Sequence, residues 1–226
     1  PDAGLRYTLF DPKTRAQAVF VHPELLGSAP RTLVASSSLD TLSLALEGLI
    51  SRTGDPLSDA ALMHALRLLA RHLGNSTTLD DAGVRGELAD AAVLCGQGTD
   101  FTGAGVATVL GHAIGARFGF DNGVSKAIVM PHVIRFNADA ALAALGKVAA
   151  ALGVSATGEA VVPGIISVIE AMSRALGIPG RLRDIGVPRE SLAELAANSM
   201  QDWFLRGNPR RVSGAAELQQ ILEQAW

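Results

Sequence analysis

The sequence predicts an all-α protein, mostly a helical bundle, with a small N-terminal β-hairpin in front of it. Three observations carry this. Apolar residues recur at helical spacing through most of the chain from residue 39 onward. Glycine, proline and short polar groups punctuate those runs where helices start and stop. The β-rich pattern is confined to residues 5–10 (LRYTLF) and 17–22 (QAVFVH), joined across Asp11-Pro12-Lys13-Thr14 as a hairpin or two short strands. With 226 residues, 48% of them hydrophobic, the chain is long enough to bury a full core.

In order, residues 30–38 read as a connector, with Ser36, Ser37 and Ser38 as candidate N-caps. A helix is expected over 39–51, with Leu42, Leu46, Leu49 and Ile50 inward. Asp40 and Leu44 fall four residues apart on one face, with Ser43 and Glu47 near it. Asp55-Pro56 opens a helix over 57–73 that stops at Gly74. His64 and His72 on it are too far apart to share a metal and read as surface or satisfied histidines. A helix over 79–95 leads into a glycine-rich passage, 96–105. These glycines follow no strand and therefore make no phosphate loop.

The chain is organised around residues 103–137, a buried helix, a Phe-Asp-Asn-Gly turn and a second buried helix. His112 and His132 lie in these apolar runs, which makes His112 the best candidate for chemistry. Pro131 reads as a helix start that His132 braces. An Ala/Leu helix over 137–152 follows, then helices over 160–176 and 192–204, a connector over 177–192, and a final helix over 215–226 with Ser213 as cap. Residues 1–30 are thus a β element and connector, and 31–226 a single helical domain.

The totals exclude several classes. A net charge of −3 and a pI near 6.0 give no footprint for nucleic acid, and no basic block marks a membrane surface. No apolar stretch reaches the roughly 18 to 20 residues needed to span a bilayer without polar interruption. The opening residues lack the apolar core of a signal peptide, and a cytoplasmic location is expected. Cys95, the single cysteine, excludes an internal disulfide and reads as a small buried hydrophobe.

The order of segments resembles the iron-containing (group III) alcohol dehydrogenases and their maleylacetate reductase relatives. Residues 40–47 (DTLSLALE) are similar to the family's D-A-L-x-H-A-x-E segment. Gly111-His112-Ala113-Ile114-Gly115, Gly123-Val124 and Met130-Pro131-His132-Val133-Ile134-Arg135-Phe136-Asn137 resemble its H-x-x-x-H…H-G-V…L-P-H-V-x-R-x-N block. Asn208-Pro209-Arg210 with Glu217-Leu218 and Ile221-Leu222 resembles the N-P-R…E-I…I-L tail. The resemblance implies a C-terminal helical domain that supplies an aspartate and three histidines to Fe(II) or Zn(II). It also implies an N-terminal Rossmann-like domain that binds NAD(P); its Gly-rich turn has no counterpart here.

Carried over residue by residue, Asp40 matches the ligand aspartate and His112 the third ligand. Leu44 stands where the second ligand, a histidine, is expected. The turn before Gly123 reads as about four residues shorter than the family's, with Asn122 at the fourth position. An alkyl chain donates no lone pair and an amide is a poor substitute for imidazole, so no tightly bound metal is expected. His132 is not a ligand in this reading.

Three accounts of function stay open. The first is an oxidoreductase domain that requires a nucleotide-binding domain or subunit and acts on a small-molecule substrate. The second is a metal-free hydrolase or lyase using Asp40, Ser43 and His112, although Ser43 lies in a helix and no G-x-S-x-G elbow is present. The third is a non-catalytic interaction domain whose apolar face pairs with another copy or a partner.

Overall fold

A computed structural model describes residues 11, 13 and 16–226. The described residues form helices and connectors, with no strand among them. Of the expected hairpin, residues 5–10 lie outside the described residues. Residues 17–22 are not a strand. Phe20 is 94% exposed, and the β-branched and aromatic composition that suggested a strand meets no pairing partner among the described residues.

After a single turn, α1 (Pro23–Leu26), the bundle begins with α2 (Arg31–Ile50). This helix starts eight residues before the expected position. The serines read as caps are instead helix interior, and Ser36 and Ser38 are buried. Next come α3 (Pro56–Leu73) and α4 (Ala82–Thr102). Asp55 caps α3 by accepting from Leu57 N and Ser58 N, and Asp81 caps α4 through Val84 N. Helix α4 runs through most of the glycine-rich passage and ends at Gly103, whose φ is +68°.

The organising stretch forms α5 (Val106–Phe118) and α6 (Asn122–Leu152), joined by residues 119–121. Pro131 does not start a helix: α6 passes through it, and the expected boundary near 137 is absent. Losing one backbone bond at an interior proline costs about 3 kcal/mol. Burial of Val129, Met130, Val133 and Ile134 on either side offsets that loss.

Helices α7 (Val161–Ala175), α8 (Leu192–Ser199) and α9 (Ala215–Ala225) complete the chain. A 3-10 segment, Trp203–Gly207, replaces the last turn expected of the helix before it. Ser213 does not cap α9 with its side chain. Its backbone N–H donates to Glu217 Oε2 instead, at 2.6 Å.

Helix α2 packs against α3, α4 and α6, and α6 also packs against α5, α7 and α9, so these two form the centre. Contrary to the sequence expectation that no apolar stretch is long enough to span a bilayer, both are long and apolar enough to cross a membrane by length and composition. Their most apolar windows are 72% and 50% buried inside the protein, as expected of core helices.

Candidate active site

Helices α2 and α6 touch at Gly123. A Cβ there would run into the Ser36 carbonyl oxygen and sit 3.0 Å from Asp40 N, so only glycine allows this approach. The contact brings α6 residues one turn on beside Asp40. Lys126 is the one that arrives, and it is 1% exposed. Its stem lies over Gly111 of α5, where an added Cβ would stand 2.8 Å from Lys126 Cγ. The ammonium Nζ is 2.7 Å from Asp40 Oδ1. This contact is charge against charge, since Oδ1 has no aligned hydrogen bond. Ser125, next to Lys126, is fully buried, and its hydroxyl has no hydrogen-bond partner.

One turn pair further along α2, Glu47 is buried and meets the start of α5. It accepts from Ala107 N at 2.6 Å, Thr108 N at 3.1 Å and Thr108 Oγ1 at 2.6 Å. Gly105 has no side chain to cap α5, so Glu47 does so from a neighbouring helix. Burial pushes the Glu47 carboxyl above its usual range, against the lowering effect of Thr108, Lys126 and the backbone donors. Asn208 of the Asn-Pro-Arg motif accepts from Val106 N at 3.3 Å. It also forms a reciprocal amide pair with Asn137, at 2.7 and 3.1 Å. These motif residues therefore hold the start of α5 in place.

His112 lies one turn beyond Thr108 on α5. Its Nδ1–H donates to Asp202 Oδ2 at 2.8 Å, and the ring is 7% exposed as a residue. Asp202 is held in turn by capping the 3-10 segment, its Oδ1 accepting from Phe204 N at 3.0 Å. Phe204 tilts against the His112 ring at 5.8 Å between centroids and stacks on Trp203 at 4.3 Å. A carboxylate on Nδ1 fixes the tautomer and leaves Nε2 as the nitrogen for proton exchange.

The sequence-predicted residues thus fall into separate pairs. Asp40 goes to Lys126 and His112 to Asp202. Ser43 is buried, and its hydroxyl donates to Leu39 O of its own helix at 2.9 Å. The Asp40, Ser43 and His112 side chains are each engaged elsewhere and do not form a nucleophilic relay. Leu44 packs at the edge of the core. Asn122 starts α6 beside Gly115, where an added Cβ would lie 2.9 Å from its Oδ1.

His132 is half-buried in α6. Burial first and then Arg135 push its pKa below the usual histidine value, partly offset by a hydrogen bond with Gln224. His72 is satisfied by Glu87, its Nε2 2.9 Å from Oε2. Cys95 is buried, its thiol 3.5 Å from Thr41 O.

Sequence reasoning missed Lys126, Asp202 and the capping role of Glu47. Lys126 carried a usable signal, a lone cation inside an apolar block. Asp202 carried none, being 90 residues from His112. A shallow groove of about 470 Å³ between α3 and α4, lined by residues such as Leu57, Gln97 and Phe101, includes none of the predicted site residues.

The donor set does not fit a four-ligand divalent metal. Leu44 offers no donor, Asn122 offers only an amide, and Asp40 faces an ammonium, while His112, its Nδ1 on Asp202, keeps Nε2 as the one imidazole donor of the set. Among the described residues no group of three or more His, Cys, Asp or Glu side chains could hold an ion.

The "Fe-containing alcohol dehydrogenase family, C-terminal" profile matches residues 34–226. The chain belongs to the iron-containing alcohol dehydrogenase family. It is 31% identical over 225 residues to the lactaldehyde reductase of Escherichia coli K12, covering 98% of this chain and 58% of that protein. To the 1,3-propanediol dehydrogenase of Klebsiella pneumoniae it is 31% identical over 208 residues, covering 90% of this chain and 54% of that protein. A solved 1,3-propanediol oxidoreductase superposes with a TM-score of 0.84 at 29% identity, over 90% of this chain and 54% of that one. The chain thus spans a little over half the length of these relatives and corresponds to the C-terminal helical domain of the iron-containing alcohol dehydrogenases.

Proposed function

We propose that this chain is the substrate-side domain of a cytoplasmic oxidoreductase that interconverts a short alcohol and its aldehyde. It would work with a nucleotide-binding domain, as members of the iron-containing alcohol dehydrogenase family do. The observation that supports a catalytic role is the His112–Asp202 pair, 2.8 Å apart and placed against Phe204. Nδ1 is committed to the carboxylate, so Nε2 is the atom that gives a proton to a forming alkoxide or takes one from an alcohol. NAD(P), when bound by the nucleotide domain, supplies or accepts the hydride. Asp202 stabilises the imidazolium that forms when Nε2 holds the extra proton.

In this reading the match of His112 to the third ligand is replaced: His112 aligns with the second histidine of the family's H-x-x-x-H rather than the first. The turn before Gly123 then needs no shortening, and the first histidine's position falls on Thr108. That fits a His112 ring directed to Asp202 and a Thr108 hydroxyl committed to Glu47. The exposed Phe20 and Leu25 supply apolar surface for pairing with a second domain or subunit. A titration following nicotinamide fluorescence tests the division of labour. This chain alone should leave NADH unbound, and binding at micromolar concentration would move the cofactor site into the helical domain.

A further inference from the structure

We propose that the ammonium of Lys126 takes the place of a divalent cation at Asp40, so that this domain carries the positive charge of its site covalently. The inference rests on the family reading above, which matches Asp40 to the family's ligand aspartate. Burying an ammonium is costly unless it is paired, and Lys126 is among the largest fully buried side chains here. Its pairing is specific, with Nζ 2.7 Å from Asp40 Oδ1 and the Glu47 carboxylate close enough to feel its charge. The fold makes room for it, since Gly111 leaves the space through which the stem passes and Gly123 brings α6 against Asp40.

The same neighbourhood has lost what a metal needs. Leu44 and Asn122 stand at two histidine positions, and a divalent ion at Asp40 would meet the ammonium as a like charge. Loss of imidazoles and presence of an internal cation are separate observations that lead to one arrangement: the acid is neutralised by the chain itself.

The test combines elemental analysis with melting curves. Protein purified without chelator should hold no stoichiometric iron or zinc, and its melting temperature should not move with Zn(II), anaerobic Fe(II) or EDTA. A specific ligand at a hundredfold excess over its Kd would raise it by several degrees. Asp40→Asn should lower the melting temperature by roughly 10 °C, because it strands a buried ammonium, and Lys126→Met by less, because the Asp40 carboxylate is 30% exposed and keeps part of its hydration. The double variant should melt higher than the sum of the two losses predicts. Near-stoichiometric metal in the wild type, or strictly additive losses in the double variant, would overturn the proposal. If Lys126→Met does not fold, the wild-type metal content decides alone. Bound metal would defeat this inference while leaving the oxidoreductase reading intact; failure of nicotinamide-dependent turnover would do the reverse.

Discussion

The Glu47 carboxylate on α2 accepts both the hydroxyl of Thr108, at 2.6 Å, and its backbone N–H, at 3.1 Å. One buried side chain thereby closes the start of the helix that carries His112. Glu47→Ala leaves two α5 amides and a hydroxyl without an acceptor in the core. A loss of roughly 2–4 kcal/mol is expected, measured by urea unfolding.

The same residue sets a pH dependence. Burial holds the folded-state Glu47 carboxyl above its unfolded value, so the folded protein binds this proton more tightly. Its contribution is complete below the ordinary carboxyl range and declines as the pH rises through the folded value. Melting temperatures measured from acid to neutral pH should therefore show a falling component in the wild type that Glu47→Gln lacks. Identical pH profiles would assign the effect to other groups.

Cys95 should be inert. Burial, with the Asp40 charge added to it, pushes its thiol up to about 12. Native protein at mildly alkaline pH should not react with an aromatic disulfide reagent, and one thiol per chain should appear only on denaturation.

Gly123→Ala tests the α2–α6 contact. The obstacles are backbone atoms, the Ser36 carbonyl and the Asp40 amide, which cannot rotate away. A loss of at least about 2 kcal/mol is expected in denaturant unfolding. A silent substitution would mean that the two helices are not pressed together at this point.

Much of this was legible because helical periodicity is a local signal. The apolar runs on either side of Phe120-Asp121-Asn122-Gly123 gave α5, the turn and α6, and Asp40 and His112 stood out as polar residues on apolar faces. What failed was decided by tertiary contact. Ser36 and Ser38 have the chemistry of caps, yet they lie buried inside α2, which begins at Arg31. Pro131 has the chemistry of a helix start, yet packing carries α6 through it. Residues 17–22 have strand composition, but β-propensity describes fit to a pleated surface, and none is present among the described residues. The partners that define the site, Lys126 for Asp40 and Asp202 for His112, join positions 86 and 90 apart, beyond the reach of any local pattern.

The central claim is that the His112–Asp202 pair moves the proton in a nicotinamide-dependent reaction. The most direct measurement joins this chain to the N-terminal nucleotide-binding domain of a family member and follows NADH consumption with a short aldehyde such as lactaldehyde. The parent should turn over, and His112→Gln and Asp202→Asn should each lower kcat by roughly a hundredfold or more with KM little changed. A parent that consumes no NADH, or variants that match it, would contradict the account.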